Sequence, residues 1–342
     1  MRNSKLFTLL ASVFALTLLL GFSVPQRSRI KLATLVPSGS VWDKSFKKMG
    51  SEWKKDTSGR VNLRVYPGGV AGDETDIIRK MRIGQLQAAA LTVSGLGSIV
   101  PAFEIFETPL LFDSHEELEY VLERVTPQLE RKLKAKGFVL LHWGHGGWIY
   151  IFSKKPITTL DDLRDQKQWV WAGDNRKVQW WKRNGFKPVP LSVPDIPTGL
   201  QTGLLEAVPT TPLAALGLQW FRSTPYMLDY GILPYLGGTV MTKKAWDRIS
   251  EADRKIMLEA AKRAEVHLDT EVPKQESAAI SEMKERGLTL TEPLARGAKS
   301  DWGTAAADFT EQLKTDPELA EFFKFVIELR DEFRAKQLEE GK

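Results

Sequence analysis

The residues most able to do chemistry are the four histidines, His115, His142, His145 and His267. His142 and His145 stand three apart, a spacing that invites a metal pair. On an extended segment residues three apart point to opposite faces, and no carboxylate or Cys adjoins them to complete a ligand set. No metal is expected there. His115 and His267 fall on charged helical stretches and read as solvated. Ser38 and Ser40 precede a helix, where serines cap, and no His is placed to activate them as nucleophiles. Asp73 and Glu74 follow Gly72 and open a helix, where carboxylates suit the dipole. Gly95-Leu96-Gly97 and Gly144–Gly147 match neither the dinucleotide nor the P-loop spacing, and no G-x-S-x-G elbow is present. The absence of cysteine removes thiol catalysis, disulfides and Cys-ligated metals. No base–nucleophile pair emerges, so an enzyme is not expected and no cofactor is called for.

What remains is aromatic. Eleven tryptophans give the chain unusually large apolar surfaces, of the kind that surround a ligand. The balance of 48 basic to 43 acidic residues is thin and scattered, which excludes a nucleic-acid footprint. With 42% hydrophobic and 27% charged residues the chain is globular, neither disordered nor polytopic. Arg2 and Lys5 precede the apolar run Leu6–Phe22, which reads as an export signal over residues 1–23, cut near Ser23 or Gln26, or as a retained single anchor. Either way the remainder is exported.

The elements that must position these residues alternate. Strands are expected at Arg29–Leu35, Val61–Tyr66, Ala88–Thr92 and Val139–Trp143, with helices at Val41–Asp56, Thr75–Ile83 and Glu116–Lys136 between them. Further strands are expected at Trp148–Ser153, Gln168–Trp171, Lys187–Leu191, Ala207–Thr210 and Thr239–Thr242, with helices at Arg176–Asn184 and Asp195–Thr202. The class is α/β with a largely parallel sheet. Glu251–Glu285 reads as one helix of about 50 Å, too long for one domain face, kinked at Pro273. Asp316–Glu340 is a charged amphipathic helix. Two lobes are expected, joined by crossings near residues 145 and 237 and by the long helix. Lobe I takes 29–145 plus 237–273; lobe II takes 146–236 plus 274–335 with the C-terminal helices.

Two stretches go beyond composition. LATLVPSGSVWDKSFKKMGSEWKKDTSGRVNLRVYPGGVAGDETDIIRKMRIGQLQAAALT resembles the start of the TRAP-type solute-binding receptors, the C4-dicarboxylate-binding (DctP-like) family. VPLSVPDIPTGLQTGLLEAVPTTPLAA is similar to that family's later signature. The order of elements agrees from about Arg29 to Ala335. The resemblance implies a periplasmic receptor with a two-lobed binding-protein fold and a small-molecule ligand in the interlobe cleft. It also implies a TRAP permease in the membrane as partner, and in some members a tetratricopeptide-repeat periplasmic protein.

The departure from the family is chemical. Typical members bind a carboxylate with an Arg in a segment that here reads Leu163–Trp171, and the Arg position is Trp169. Indole carries no charge and cannot grip a carboxylate bidentately. Restoring Arg164 by a shift of five residues conflicts with Asp161-Asp162-Leu163-Arg164, which matches the exposed turn that opens the second lobe. The second basic position falls at Trp148, and polar positions fall near Leu35, Thr92 and Thr211. The expected ligand-binding set is Leu35, Pro37, Trp42, Thr92, Trp148, Trp169, Trp171, Thr211 and Trp220, around a cleft for an apolar or weakly polar ligand. Trp42, Trp53, Trp180, Trp246 and Trp302 lie on helix faces, where core packing is the ordinary role. Two other readings stay open: an organic-acid receptor whose Arg is Arg176 or Arg222, and a scaffold that only docks a partner.

Overall fold

The structure, a computed structural model, describes residues 27–172, 175–297, 300–339 and 341. The expected export signal lies outside the described residues. Nine strands form one mixed sheet: β1 (Ser28–Thr34), β2 (Val61–Tyr66), β3 (Ala88–Thr92), β4 (Phe138–Ser153), β5 (Lys167–Trp171), β6 (Lys187–Leu191), β7 (Ala207–Thr210), β8 (Tyr226–Thr242) and β9 (Thr289–Thr291). Their order is β2-β1-β3-β8-β4-β7-β5-β6, with β9 beside β8. β1 pairs in parallel with β2 and β3, and β5 with β6 and β7. β8 runs antiparallel to both β3 and β4, and β4 antiparallel to β7.

The helices are α1 (Val41–Asp56), α2 (Glu74–Arg82), α3 (Val93–Gly97), α4 (His115–Ala135), α5 (Leu160–Arg164), α6 (Asn175–Arg183), α7 (Ile196–Thr202), α8 (Pro212–Gly217), α9 (Lys243–Trp246), α10 (Glu251–Glu285), α11 (Asp301–Leu313) and α12 (Pro317–Glu339). Two parallel α/β halves thus flank a central antiparallel pair. The expected break into separate strands at residue 145, and the short strand at 239–242, are corrected. β4 and β8 are continuous strands of 16 and 17 residues that pair from end to end and join the halves into one sheet. The discontinuity survives as a register shift between His145 and Trp148, flanked by further shifts at Leu140/His142 and Ile149/Ile151.

α1 forms where expected because Ser40 caps it, accepting from the Asp43 N–H, and its apolar positions fall on one face. Trp42, Phe46, Met49 and Trp53 are buried there. Trp53 is fully buried and donates its indole N–H to the Met257 carbonyl of α10 at 3.2 Å. The 35-residue α10 carries Pro273 inside it, which removes the backbone hydrogen bond to the Asp269 carbonyl. Before the proline, Met257, Ala261, Leu268 and Val272 share a core with α1; after it, Met283 packs with Phe152, Phe221 and Met227. One helix therefore serves the cores of both halves.

The C-terminal helix departs from the expected grouping with lobe II. α12 packs on α4: Tyr120 meets Phe333 with ring centroids 5.3 Å apart, and Arg334 pairs with Asp113 at 2.8 Å and with Glu117. A strap from the far end of the chain thus returns to the first half. α11, absent from the expected elements, sends Phe309 against Trp180 of α6.

Candidate functional site

The C-terminal ends of the parallel strands converge on a cavity of about 270 Å³. Such crevices outside the carboxyl ends of strands are where α/β sheets place ligands. β1 delivers Leu35 and Pro37, β3 delivers Thr92, and β5 delivers Trp169 and Trp171. The last two are two residues apart on one strand, hence on one face, with ring centroids 5.5 Å apart. Thr211 enters from the start of α8, Trp220 from the turn after it, and Trp42 from the first turn of α1.

Eight of the nine expected residues therefore line one cavity. Trp148 is the exception. Its ring lies against His115 at 5.7 Å and borders a separate groove with Tyr230 and Arg334. The sequence also understated the aromatic wall: Trp180 and Trp302, read as core, and Trp181, not singled out, all line the cavity. Seven of the chain's eleven tryptophans do so. Their helical spacing gave no signal that this face opens onto a void.

The polar atoms of the wall are largely spent on the scaffold. Trp169 donates its N–H to the Leu191 carbonyl at 3.0 Å, and Trp42 donates to the His145 carbonyl at 3.0 Å. Trp180 donates to Asp308 at 2.9 Å. The Thr211 hydroxyl caps α8 by accepting from the Ala214 N–H. Thr92 gives both its N–H and its hydroxyl to Glu74, at 2.7 and 2.8 Å. The Trp220 N–H is buried without a partner. Ser94 bonds Glu107, the one charged side chain on the wall among the described residues.

Asp73 and Glu74 divide their expected role. Asp73 caps α2, accepting from the Glu74 N–H at 2.8 Å, while Glu74 turns inward and is 2% exposed. Burial pushes the Glu74 carboxyl up to about 8, against the Thr92 hydrogen bonds that pull it down. Glu276 of α10 is likewise pushed by burial to about 7, although it accepts from the Trp148 N–H.

No cationic side chain lines the cavity among the described residues. Arg164 is held at the surface: it bonds Asp161 at 2.7 Å and the Asn184 carbonyl at 3.0 Å, with its guanidinium over the Phe186 ring. Arg222 is exposed and off the wall. Arg176 lies in α6, and its side chain is outside the described residues.

The histidine reading needs two corrections. His115 is not solvated; it is half-buried between His145 and Trp148, and burial lowers its pKa. His142 turns aside: its Nδ1 meets the Trp143 carbonyl at 2.6 Å and its ring meets Phe46. Carboxylates do reach His145, but from distant elements: Glu119 and Asp269.

The family described as bacterial extracellular solute-binding protein, family 7 (DctP), matches residues 32–315. The chain belongs to this family. Among its relatives, the C4-dicarboxylate-binding periplasmic protein DctP of Rhodobacter capsulatus is 25% identical over 302 residues, covering 85% of this chain and 89% of that protein. A solute-binding protein of Chromohalobacter salexigens is 26% identical over 225 residues, covering 65% of this chain and 66% of that one. Solved structures share the fold. A TRAP periplasmic solute-binding protein from Chromohalobacter salexigens with bound D-glucuronate superposes with a TM-score of 0.81 at 21% identity, over 88% of this chain and 99% of that one. Another, from Sulfitobacter sp. NAS-14.1 with bound β-D-galacturonate, gives 0.82 at 19% identity, over 88% and 100%. Each of these relatives is named as a binding protein. Among the described residues, no helix is long and apolar enough to cross a membrane.

Proposed function

We propose that this family 7 protein is an exported receptor that captures a small apolar or weakly polar molecule in the tryptophan-lined cavity and delivers it to a TRAP-type permease. The observation that carries this reading is Trp169. It stands where the family resemblance puts the carboxylate-binding Arg, and its one polar atom is tied to the Leu191 carbonyl. A free carboxylate in this wall would lose its hydration without an ion partner, a penalty of several kcal/mol. An apolar ligand gains about 25 cal/mol for each Å² of surface it buries.

Closure of the two halves around the β4–β8 pair accompanies capture in this reading. The lobes are 29–145 with 237–273, and 146–236 with the chain from 274 to the end of α11.

The test is native mass spectrometry of the protein purified from the periplasm, followed by calorimetry. A co-purifying hydrophobe that rebinds, with no heat from succinate or D-glucuronate, supports the proposal. Tight binding of either acid overturns it and directs attention to Arg176, with Arg176→Ala the variant to measure. An empty cavity that nothing refills leaves the docking scaffold as the reading.

A further inference from the structure

Away from the cavity wall, three elements bring ligating atoms to one point. Glu119 of α4, His145 of β4 and Asp269 of α10 place one carboxylate oxygen, one imidazole nitrogen and another carboxylate oxygen within 4.8 Å of one another. The His145 side chain is 8% exposed, and Nε2 faces Asp269 Oδ1 at 3.7 Å, too far for a hydrogen bond. Asp269 Oδ1 is itself buried with no hydrogen-bond partner. A buried imidazole and the buried Oδ1 of a partly exposed aspartate, whose side chain is 26% exposed, thus face each other across a gap that neither fills, although buried polar atoms are normally paired. Lys262, whose charge acts on both groups, is already committed: it holds Glu265 at 2.5 Å, and Glu265 accepts from the Trp143 N–H.

We infer that Glu119, His145 and Asp269 form a binding site for a divalent metal ion of the zinc class. The donor set decides the class. One imidazole and two carboxylates match zinc and its first-row neighbours, whereas calcium and magnesium favour all-oxygen shells. Bond lengths of about 2.0–2.2 Å require the three donors to draw together by roughly 1 Å. Glu119 supplies that freedom, because it lies on the exposed rim of α4. The same open rim leaves a fourth position for water. His142 is not part of the group: the converging atoms belong to Glu119, His145 and Asp269 alone, and the His142 ring packs against Phe46.

The ion would tie α4 and α10 to the middle of β4. The peptide it fixes is the one whose carbonyl, His145 O, anchors the Trp42 indole of the cavity wall.

The experiment uses the purified protein stripped with EDTA and titrated with ZnCl₂ by calorimetry, with the visible spectrum of the Co²⁺ form as a second readout. One ion per chain is expected. Glu119→Gln and Asp269→Asn are each expected to weaken it at least tenfold and to abolish the rise in Tm that zinc gives the unaltered protein. His267→Ala, outside the cluster, is expected to bind as the unaltered protein does. Glu119 is exposed, so its variant tests the site even if Asp269→Asn folds poorly. Absence of one-per-chain binding, or undiminished affinity in the Glu119 variant, overturns the inference.

Discussion

Trp169 leans on Trp171 and spends its N–H on Leu191, so replacing it alters a wall rather than a network of ligand hydrogen bonds. Trp169→Ala is expected to weaken an apolar ligand through lost contact area, by about 1.5–3 kcal/mol or roughly tenfold to a hundredfold. Trp169→Arg should weaken it as well, by placing a charge in a dry wall, and should be the variant that gains measurable carboxylate affinity. Calorimetry of both variants against the co-purified ligand and a C4-dicarboxylate separates the two effects; dicarboxylate binding by the alanine variant would contradict the argument. Glu74 makes a second residue-scale prediction. Its carboxyl is raised from 4.5 to about 8 in the fold, so the folded state holds a proton that the unfolded chain releases. The stability this contributes is fully present below about 4.5 and is lost as pH rises through about 8. Glu74→Gln keeps the shape and removes the titration. Its Tm, measured against the unaltered protein, should therefore compare more favourably at pH 8 than at pH 5; a pH-independent difference would remove Glu74 from the account.

At the scale of elements, α1 and α10 are joined by Trp53, fully buried with its indole on the Met257 carbonyl. Trp53→Ala leaves a void in that core and is expected to cost about 3–5 kcal/mol in urea unfolding. Both helices were legible to the residue, α1 from its apolar spacing and the Ser40 cap, because local pattern and tertiary burial agree there. The central strands were not. β4 reads as two strands because Gly144, Gly146 and Gly147 look like a loop, and Gly147 does adopt φ +81. Pairing with β8 carries the strand through that interruption. β8 was hidden for a related reason: a Cβ on Gly237 would lie 2.6 Å from the Leu91 carbonyl, so that glycine serves close strand approach rather than a turn. The lining of the candidate cavity was legible where the resemblance fixed strand ends, at Thr92, Trp169 and Thr211. It was missed where helices arrive from elsewhere, as with Trp181 and Trp302. The Glu119–His145–Asp269 group was invisible for the same reason, since its members are brought together only by α4, β4 and α10.

For the molecule as a whole, the halves are linked by the β4–β8 pair, by α10 and by the return of α12 onto α4. A ligand that touches both sides of the cavity favours a closed arrangement by its difference in affinity between open and closed forms. Small-angle scattering should record a smaller radius of gyration when the co-purified ligand is added; an unchanged radius with calorimetrically proven binding would remove the hinge.

The concentration of seven tryptophans on one cavity has an optical consequence. Trp169 with Trp171, and Trp180 with Trp181, hold their rings 5.5 Å apart at fixed angles of 55° and 85°. At such separations the excited states of neighbouring indoles mix, so the near-ultraviolet circular dichroism and the emission spectrum are signals of pairs rather than of isolated rings. Whatever enters between them displaces water from, or retunes, most of the chromophores in the chain at once. The receptor therefore carries a built-in reporter of its own occupancy, readable without any label.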